Sequence, residues 1–296
     1  MNYTIKQFNK DFPSDDACLE YIFKSRFSGV KCPRCGKDKF YRVKGRKAYA
    51  CRCGYQVNPV SNTIFHKSDT KLTDWFFAIY LMSQANNGVS AKEIQKHLGT
   101  TYKTAWRIAK QIRSLMGQDN IMLNKVVEVD EMYVGGKRRQ ARRNENKSMV
   151  VGMVQRGGKI KAKHIKEYWT PTALKNLTDN IERGTRLITD DSSIMGKTNR
   201  LGYLHDSIKH STKKYVKGDI HTNTIEGFWS QIKRSLDGTY HSISAKHLQS
   251  YVDEFAFHYN QRLCSVPAFE TLLSRLCGQL GSGGYKMPVF PLRVSS

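Results

Sequence analysis

At 296 residues the chain is too long for a mini-protein and has room for two or three domains. Forty-nine Lys and Arg against 25 Asp and Glu leave a net charge of +24 spread along its length; that self-repulsion is relieved by a polyanion, so nucleic acid is the first partner to expect. A membrane partner is set aside, because no run approaches ~18 apolar residues and the opening MNYTIKQFNKDF lacks the apolar core of a signal peptide; a soluble, cytoplasmic protein is expected. Seven cysteines in such a chain point to metal ligation or buried thiols rather than to disulfides.

Ser14 before Asp15 and Asp16 predicts a capped helix over FPSDDACLEYIFKSRF, with acids at the positive end of its dipole and Cys18 as a packed thiol. Cys264 and Cys277, with no ligands near them in sequence, read as packing too. Cys32 and Cys35 form a CxxC pair and Cys51 and Cys53 a CxC pair after fifteen intervening residues. Two close pairs separated by a hairpin-length segment predict a structural Zn²⁺ site, in which the metal substitutes for a core too small to fold alone. Gly36 and Gly54 follow the pairs where the chain must turn tightly.

From Asp74 to Met116 the periodicity is helical. Ser90 and Glu93 open GVSAKEIQKHLG as a capping box, Gly99 breaks it, and a further helix starts after Thr100 or Thr101 with Ile108, Ile112 and Leu115 on its buried face. Two short helices about a glycine turn, the second with Lys103, Thr104 and Arg107 near its start, predict a helix-turn-helix that presents these residues to DNA.

Beyond Lys125 the pattern changes to strands: KVVEVDEMYVGG alternates, SMVVGMVQRGGKIKAKHI reads as two strands around a Gly-Gly turn, and TRLITDD is a short strand ending in acids. A helix is expected over TPTALKNLTDNIERG, with Thr170 as cap and Pro171 in its first turn. The basic segment between the first two strands carries Lys137, Arg138, Arg139, Arg142 and Arg143, suited to phosphate contacts. Downstream, Ile225, Phe228, Trp229, Ile232 and Leu236 make one apolar helical stripe with Glu226 at its edge. A glutamate beside an indole loses solvation on burial and then needs a partner or a cation. Asp130, Asp190 and Glu226, on the first strand, the fourth strand and a late helix, supply carboxylates for divalent cations such as Mg²⁺ in phosphoryl transfer.

VEVDEMYVGGK, LITDDSS, IHTNTIEGFWSQIKR and GTYHSISAKHLQSYVDEFAFHYNQR resemble the ribonuclease H-like catalytic domain of bacterial insertion-sequence transposases related to the Merlin superfamily. FPSDDACLEYIF, CPRCG and NTIFHKSDTKLTDWFFAIYLM are similar to their zinc-ribbon region. The resemblance implies catalytic acids at Asp130, Asp190 and Glu226, with Asp190 preferred over Asp191 as the residue that ends the strand. It places the family's lysine at Lys233, seven residues beyond Glu226, and a supporting residue at Asn223. The expected architecture is multi-domain α+β: an N-terminal helix and zinc ribbon over 1–66, a helix-turn-helix region over 67–120, a ribonuclease H-like mixed α/β domain over 121–265, and a tail over 266–296, loose from Gly281. The expected activity is Mg²⁺- or Mn²⁺-dependent cleavage and strand transfer at the terminal inverted repeats of an element, acting on double-stranded element and target DNA as a homodimer or higher multimer. The rival readings are a non-catalytic DNA-binding regulator and a ribonuclease H-like structure-specific nuclease.

Overall fold

The computed structural model describes residues 3–118, 120–135, 147–165, 175, 178–190, 202–208 and 219–278. Two units emerge: Met1–Gln84 with Ile94–Leu115 and Val266–Ser296, and Ala85–Glu93 with Met116–Ser265. Among the described residues no helix is long and apolar enough to cross a membrane.

The first unit opens with α1 (Ile5–Asp11), capped by Thr4, and α2 (Asp15–Phe27), whose Ser14 hydroxyl accepts the Ala17 N–H as its acid-rich start predicts. Cys18 is fully buried in α2, and burial pushes its thiol up to about 12. Strands β1 (Phe40–Arg42), β2 (Tyr49–Cys51) and β3 (Gln56–Val57) form an antiparallel ribbon, joined to α2 by Phe23 stacked on Tyr49 at 3.8 Å between ring centroids. Helix α3 (Leu72–Gln84) is apolar on most of its circumference and buries Trp75, Phe76, Ile79 and Met82. Next come α4 (Ala91–Leu98) and α5 (Tyr102–Leu115), joined through Gly99 at φ +60°; of the two candidate caps, Thr101 accepts the Thr104 N–H.

The stretch expected as a tail requires a correction. Residues Ala268–Gly278 form α8, whose Phe269, Leu272, Leu273 and Leu276 are buried in the first unit. Phe269 meets Tyr3 at 4.7 Å and Arg275 donates to the Leu115 carbonyl at 3.0 Å. The expected loose end from Gly281 lies outside the described residues, and nothing is described of the Cys277 side chain. Cys264, expected to be packed, is exposed.

The second unit is built on a five-stranded sheet. Strands β4 (Val126–Val134), β5 (Ser148–Gln155) and β6 (Ile160–Ile165) form an antiparallel meander turning at Gly157, φ +66°. Strand β7 (Arg186–Asp190) runs parallel to β4, and β8 (Leu204–Ile208), a strand absent from the sequence reading, runs parallel to β7. The order β6-β5-β4-β7-β8 makes a mixed sheet, antiparallel from β6 to β4 and parallel from β4 to β8, as expected for the mixed α/β domain. One face packs Val127, Val129, Val151 and Leu187 into a core; the other packs Met132, Val150 and Val154 against α6 (Asn223–Ser235) and α7 (Ala245–Gln261). The apolar stripe foreseen on α6 is this buried face, with Leu236 leaving the α-helix in a π-turn that runs to Tyr240. The expected cap Thr170 and first-turn Pro171 lie outside the described residues.

The outer edge of β6 is closed by side chains. Asn260 accepts the Ile160 N–H at 2.7 Å and donates to its carbonyl at 3.0 Å. Gln118 does the same at Ala162, at 2.8 and 2.6 Å, and Gln249 accepts the His164 N–H at 2.7 Å. Asp253 accepts from both glutamines.

Two glycines of this unit are constrained in opposite ways. A Cβ on Gly152, mid-β5, would lie 2.6 Å from the Trp229 ring, whereas one on Gly227, on the exposed face of α6, would meet nothing within 4 Å. Gly152→Ala is therefore expected to cost about 1–3 kcal/mol through overpacking. Gly227→Ala should raise stability by up to about 1 kcal/mol through helix propensity. Denaturant midpoints compared with wild type check the two signs.

Candidate functional site

The two thiol pairs converge. Cys32 and Cys35 sit in a turn closed by the Gly36 N–H to Cys32 carbonyl bond, and Cys51 ends β2 in a second turn closed by Gly54; both glycines adopt positive φ. The four sulfurs all lie within 4.8 Å of one another, with Cys32 Sγ 3.5 Å from Cys53 Sγ and Cys35 Sγ 3.4 Å from Cys51 Sγ. A tetrahedron with Zn–S bonds of about 2.3 Å separates its sulfurs by about 3.8 Å, so the set fits Zn²⁺ after small adjustments.

In the second unit, alternation along β4 sends Glu128, Asp130 and Met132 toward α6 while Val127 and Val129 enter the opposite core. The parallel register Val129↔Thr189 brings Asp190, the last residue of β7, beside Asp130. Carboxylate oxygens of Asp130, Glu131 and Asp190 lie within 4.8 Å of one another, all half-buried. Burial, then Asp190 and Glu226, push Asp130 up to about 6 against the Glu131 and Trp229 N–H donors that lower it. Burial, Asp190 and Asp130 push Glu131 up to about 7. Hard oxygen donors that repel one another in a half-buried site suit a divalent cation such as Mg²⁺ or Mn²⁺.

Asp130 is held by the Trp229 indole N–H at 3.0 Å, and Gly152, paired with Asp130 across β4 and β5, leaves the room that this indole occupies. Glu128 is fully buried and accepts from Arg156, Thr224 and the Ile225 N–H.

Glu226 departs from the sequence reading in its burial. It is exposed rather than buried beside the indole, and it stands outside the convergent set, although it is close enough to raise Asp130. Its Oε1 accepts the Thr222 hydroxyl at 2.8 Å. The physical reason is angular: on α6 the stripe of Ile225, Phe228 and Trp229 turns inward, leaving Asn223, Glu226, Gly227, Ser230 and Lys233 on the solvent side. Asp191 lies outside the described residues, as do Lys137, Arg138, Arg139, Arg142 and Arg143. Of the residues expected on the second helix of the pair, Lys103 is exposed and Thr104 half-buried. Arg107 is turned inward, donating to Ser68 Oγ at 3.1 Å and lying over the Trp75 ring.

Glu131, Glu128, Trp229 and Gly152 were not singled out from sequence as site residues. Two signals were available: a charged residue at every second position of the apolar VEVD, and a glycine inside the strand SMVVGMVQ, which marks close approach.

The model for an ISXO2-like transposase domain matches residues 122–260, and that for a transposase zinc-ribbon domain matches residues 13–56. A protein of Halobacterium salinarum, described as an uncharacterized protein in transposable element ISH50, is 25% identical over 291 residues, covering 89% of this chain and 96% of its own. Among solved structures, a chain of the simian T-cell lymphotropic virus intasome in complex with PP2A regulatory subunit B56 gamma aligns at 12% identity over 74% of this chain and 80% of its own, with a TM-score of 0.33. A chain of the Mos1 strand transfer complex aligns at 12% identity over 71% and 78%, with a TM-score of 0.24. These scores are too low for a shared fold to follow from them. The thiol-bearing ribbon and the acid-bearing sheet are thus each similar to a transposase domain, the first to a transposase zinc-ribbon domain and the second to an ISXO2-like transposase domain.

Proposed function

We propose that the chain binds the terminal inverted repeats of its element as double-stranded DNA, and cuts and joins strands with Mg²⁺ or Mn²⁺ held at the acid cluster. The observation that carries this reading is the convergence of Asp130, Glu131 and Asp190 at the carboxyl end of β7, beside the parallel strand β4. Asp130 and Asp190 act as ligands, with Glu131 as an additional carboxylate that sequence reading did not foresee. Glu226 and Asn223 face the same solvent side of α6 and approach once a phosphate and cation enter. When bound, a pair of divalent ions supplies Lewis-acid activation of the attacking oxygen and stabilisation of the leaving one. Water is the nucleophile for nicking and a 3′-OH for strand transfer. Exposed Lys233 holds a phosphate of the cleaved strand. The ribbon is held by Zn²⁺ on Cys32, Cys35, Cys51 and Cys53, and synapsis of two ends requires at least two copies of the chain.

End-labelled repeat DNA incubated with Mg²⁺ tests the reaction. Asp130→Asn, Asp190→Asn and Glu226→Gln should bind the ends with wild-type affinity while cleavage and joining fall by orders of magnitude, because the ligands act as a unit. Glu131→Gln should cut more slowly yet be more stable without metal, since it removes a repelling charge from a half-buried cluster. Lys233→Ala should retain reduced activity. Wild-type protein that binds the ends and never cuts them would leave the regulator reading; cutting without joining and without preference for repeat ends would leave the nuclease.

Metal analysis of purified, reduced protein should give one zinc per chain, lost in a Cys51→Ser/Cys53→Ser double variant whose Mg²⁺ binding is unchanged. Zinc-free wild-type protein would overturn the ribbon assignment.

Lys103→Ala should flatten the log–log salt dependence of DNA binding by about one unit for one lost phosphate contact. Arg107→Ala should additionally lower the unfolding temperature, because its guanidinium is engaged with Ser68 and Trp75. An unchanged slope in both variants would remove α5 from the DNA interface.

A further inference from the structure

Helix α6 begins without a cap of its own. Its N-cap residue, Thr222, makes no side-chain cap bond; the hydroxyl is turned to Glu226 Oε1 instead. The orphan N–H groups of the first turn are met from another element: Glu128 Oε2, on β4, accepts the Thr224 N–H at 2.9 Å and the Ile225 N–H at 3.0 Å. Glu128 Oε1 accepts the Thr224 hydroxyl at 2.9 Å and Arg156 Nε at 2.7 Å. Arg156 extends the clamp upstream, donating from Nη1 to the Asp219 carbonyl and from Nη2 to the His221 carbonyl, each at 2.6 Å. Its own N–H is bonded to the Val126 carbonyl at 3.0 Å, at the start of β4. His221 Nδ1 lies 3.5 Å from Glu128 Oε1.

A fully buried carboxylate is a costly way to cap a helix whose N-cap position already carries a hydroxyl in Thr222. What it adds is register. Glu128 and Asp130 lie two residues apart on the same face of β4, and each is bonded to α6: Glu128 to its first turn, Asp130 to Trp229. Two anchors on one strand fix both the position and the rotation of the helix, and with them the distance from Asn223 and Glu226 to the acid cluster. We infer that Glu128 and Arg156 are positioning residues that hold the lead-in and first turn of α6 in register with Asp130, so that the helix-borne Glu226 and Asn223 meet the strand-borne acids in metal-binding geometry. The inference rests on the metal-dependent reading of that cluster.

The test uses full-length protein and two readouts besides cleavage: the indole N–H resonance of Trp229, assigned with Trp229→Phe, and the affinity for Mn²⁺ measured by paramagnetic resonance. Glu128→Gln keeps the shape but faces Arg156 or the helix N–H groups with a second donor. It is expected to shift the Trp229 resonance and to weaken Mn²⁺ binding about tenfold, as loss of an outer-shell partner does. The rate of cutting should fall more with Mg²⁺, which demands near-ideal octahedral geometry, than with Mn²⁺, and repeat-end affinity should stay as in wild type. Arg156→Lys and Thr224→Val, each removing part of the clamp, should move the same readouts in the same direction by less, and they carry the test if Glu128→Gln does not fold. A lowered unfolding temperature with the Trp229 resonance, the Mn²⁺ affinity and the Mg²⁺-to-Mn²⁺ ratio all unchanged would reduce the clamp to a plain stabilising contact and overturn the inference. Wild-type protein that binds no Mn²⁺ would instead sink the metal reading, with the Trp229 resonance still reporting on the clamp.

Discussion

Two carboxylates on one face of β4 govern the second unit. Removing a charge from water costs several kcal/mol unless partners replace the lost hydration. Glu128 is fully withdrawn and receives four hydrogen bonds, including one from Arg156; Asp130 is half-withdrawn and receives the Trp229 N–H. The difference is chemical. Glu128 has its lone pairs filled by the protein, while Asp130 faces Asp190 and Glu131 and is pushed up to about 6 by burial and by its acidic neighbours. One carboxylate is finished as a structural part; the other is left with capacity for a cation.

The thiol site of the first unit meets the opposite need. The ribbon has three strands of two or three residues each and little apolar area of its own beyond Tyr49 packed on Phe23. Four soft donors gathered by two turns can supply cohesion that this hairpin lacks. Hard oxygens in a preformed sheet and soft sulfurs in a marginal hairpin are thus two donor sets of different metal preference within one chain.

Much of this was legible from residue order because it depends on local periodicity. The capped α2, the glycine break between α4 and α5, the meander β4–β6 and the inward stripe of α6 follow from spacing alone. Asp130 and Asp190 could be placed because each sits on a strand whose partner is set by the parallel crossover. What could not be read depends on distant pairing or on angle. Strand β8 is short, and its Leu204 is exposed, so it lacks an apolar signature. Helix α8 looked like a tail because its apolar residues have meaning only against α2, α3 and α5. Glu226 was expected to be buried because a stripe of apolar neighbours in sequence does not say on which side of it an edge residue falls; the helix rotation fixed by Trp229 and Glu128 does. Glu131 escaped notice for a similar reason: alternation assigns it to the face opposite Asp130, and only the position of Asp190 at the strand end brings the three acids together.

The three amides along β6 bear on how copies of the protein can meet. An unpaired strand at the border of a sheet is a template on which another chain can add a strand and so polymerise. Here the groups of Ile160, Ala162 and His164 that would receive an incoming strand already hold Asn260, Gln118 and Gln249. Strand addition at this border must first break those bonds and free Asp253, which accepts from both glutamines. The sheet is thereby protected, on this side, from fusing with another chain into a continuous sheet. Along this border, any contact with another chain is left to side-chain surfaces, which can be made and released without unpicking a backbone.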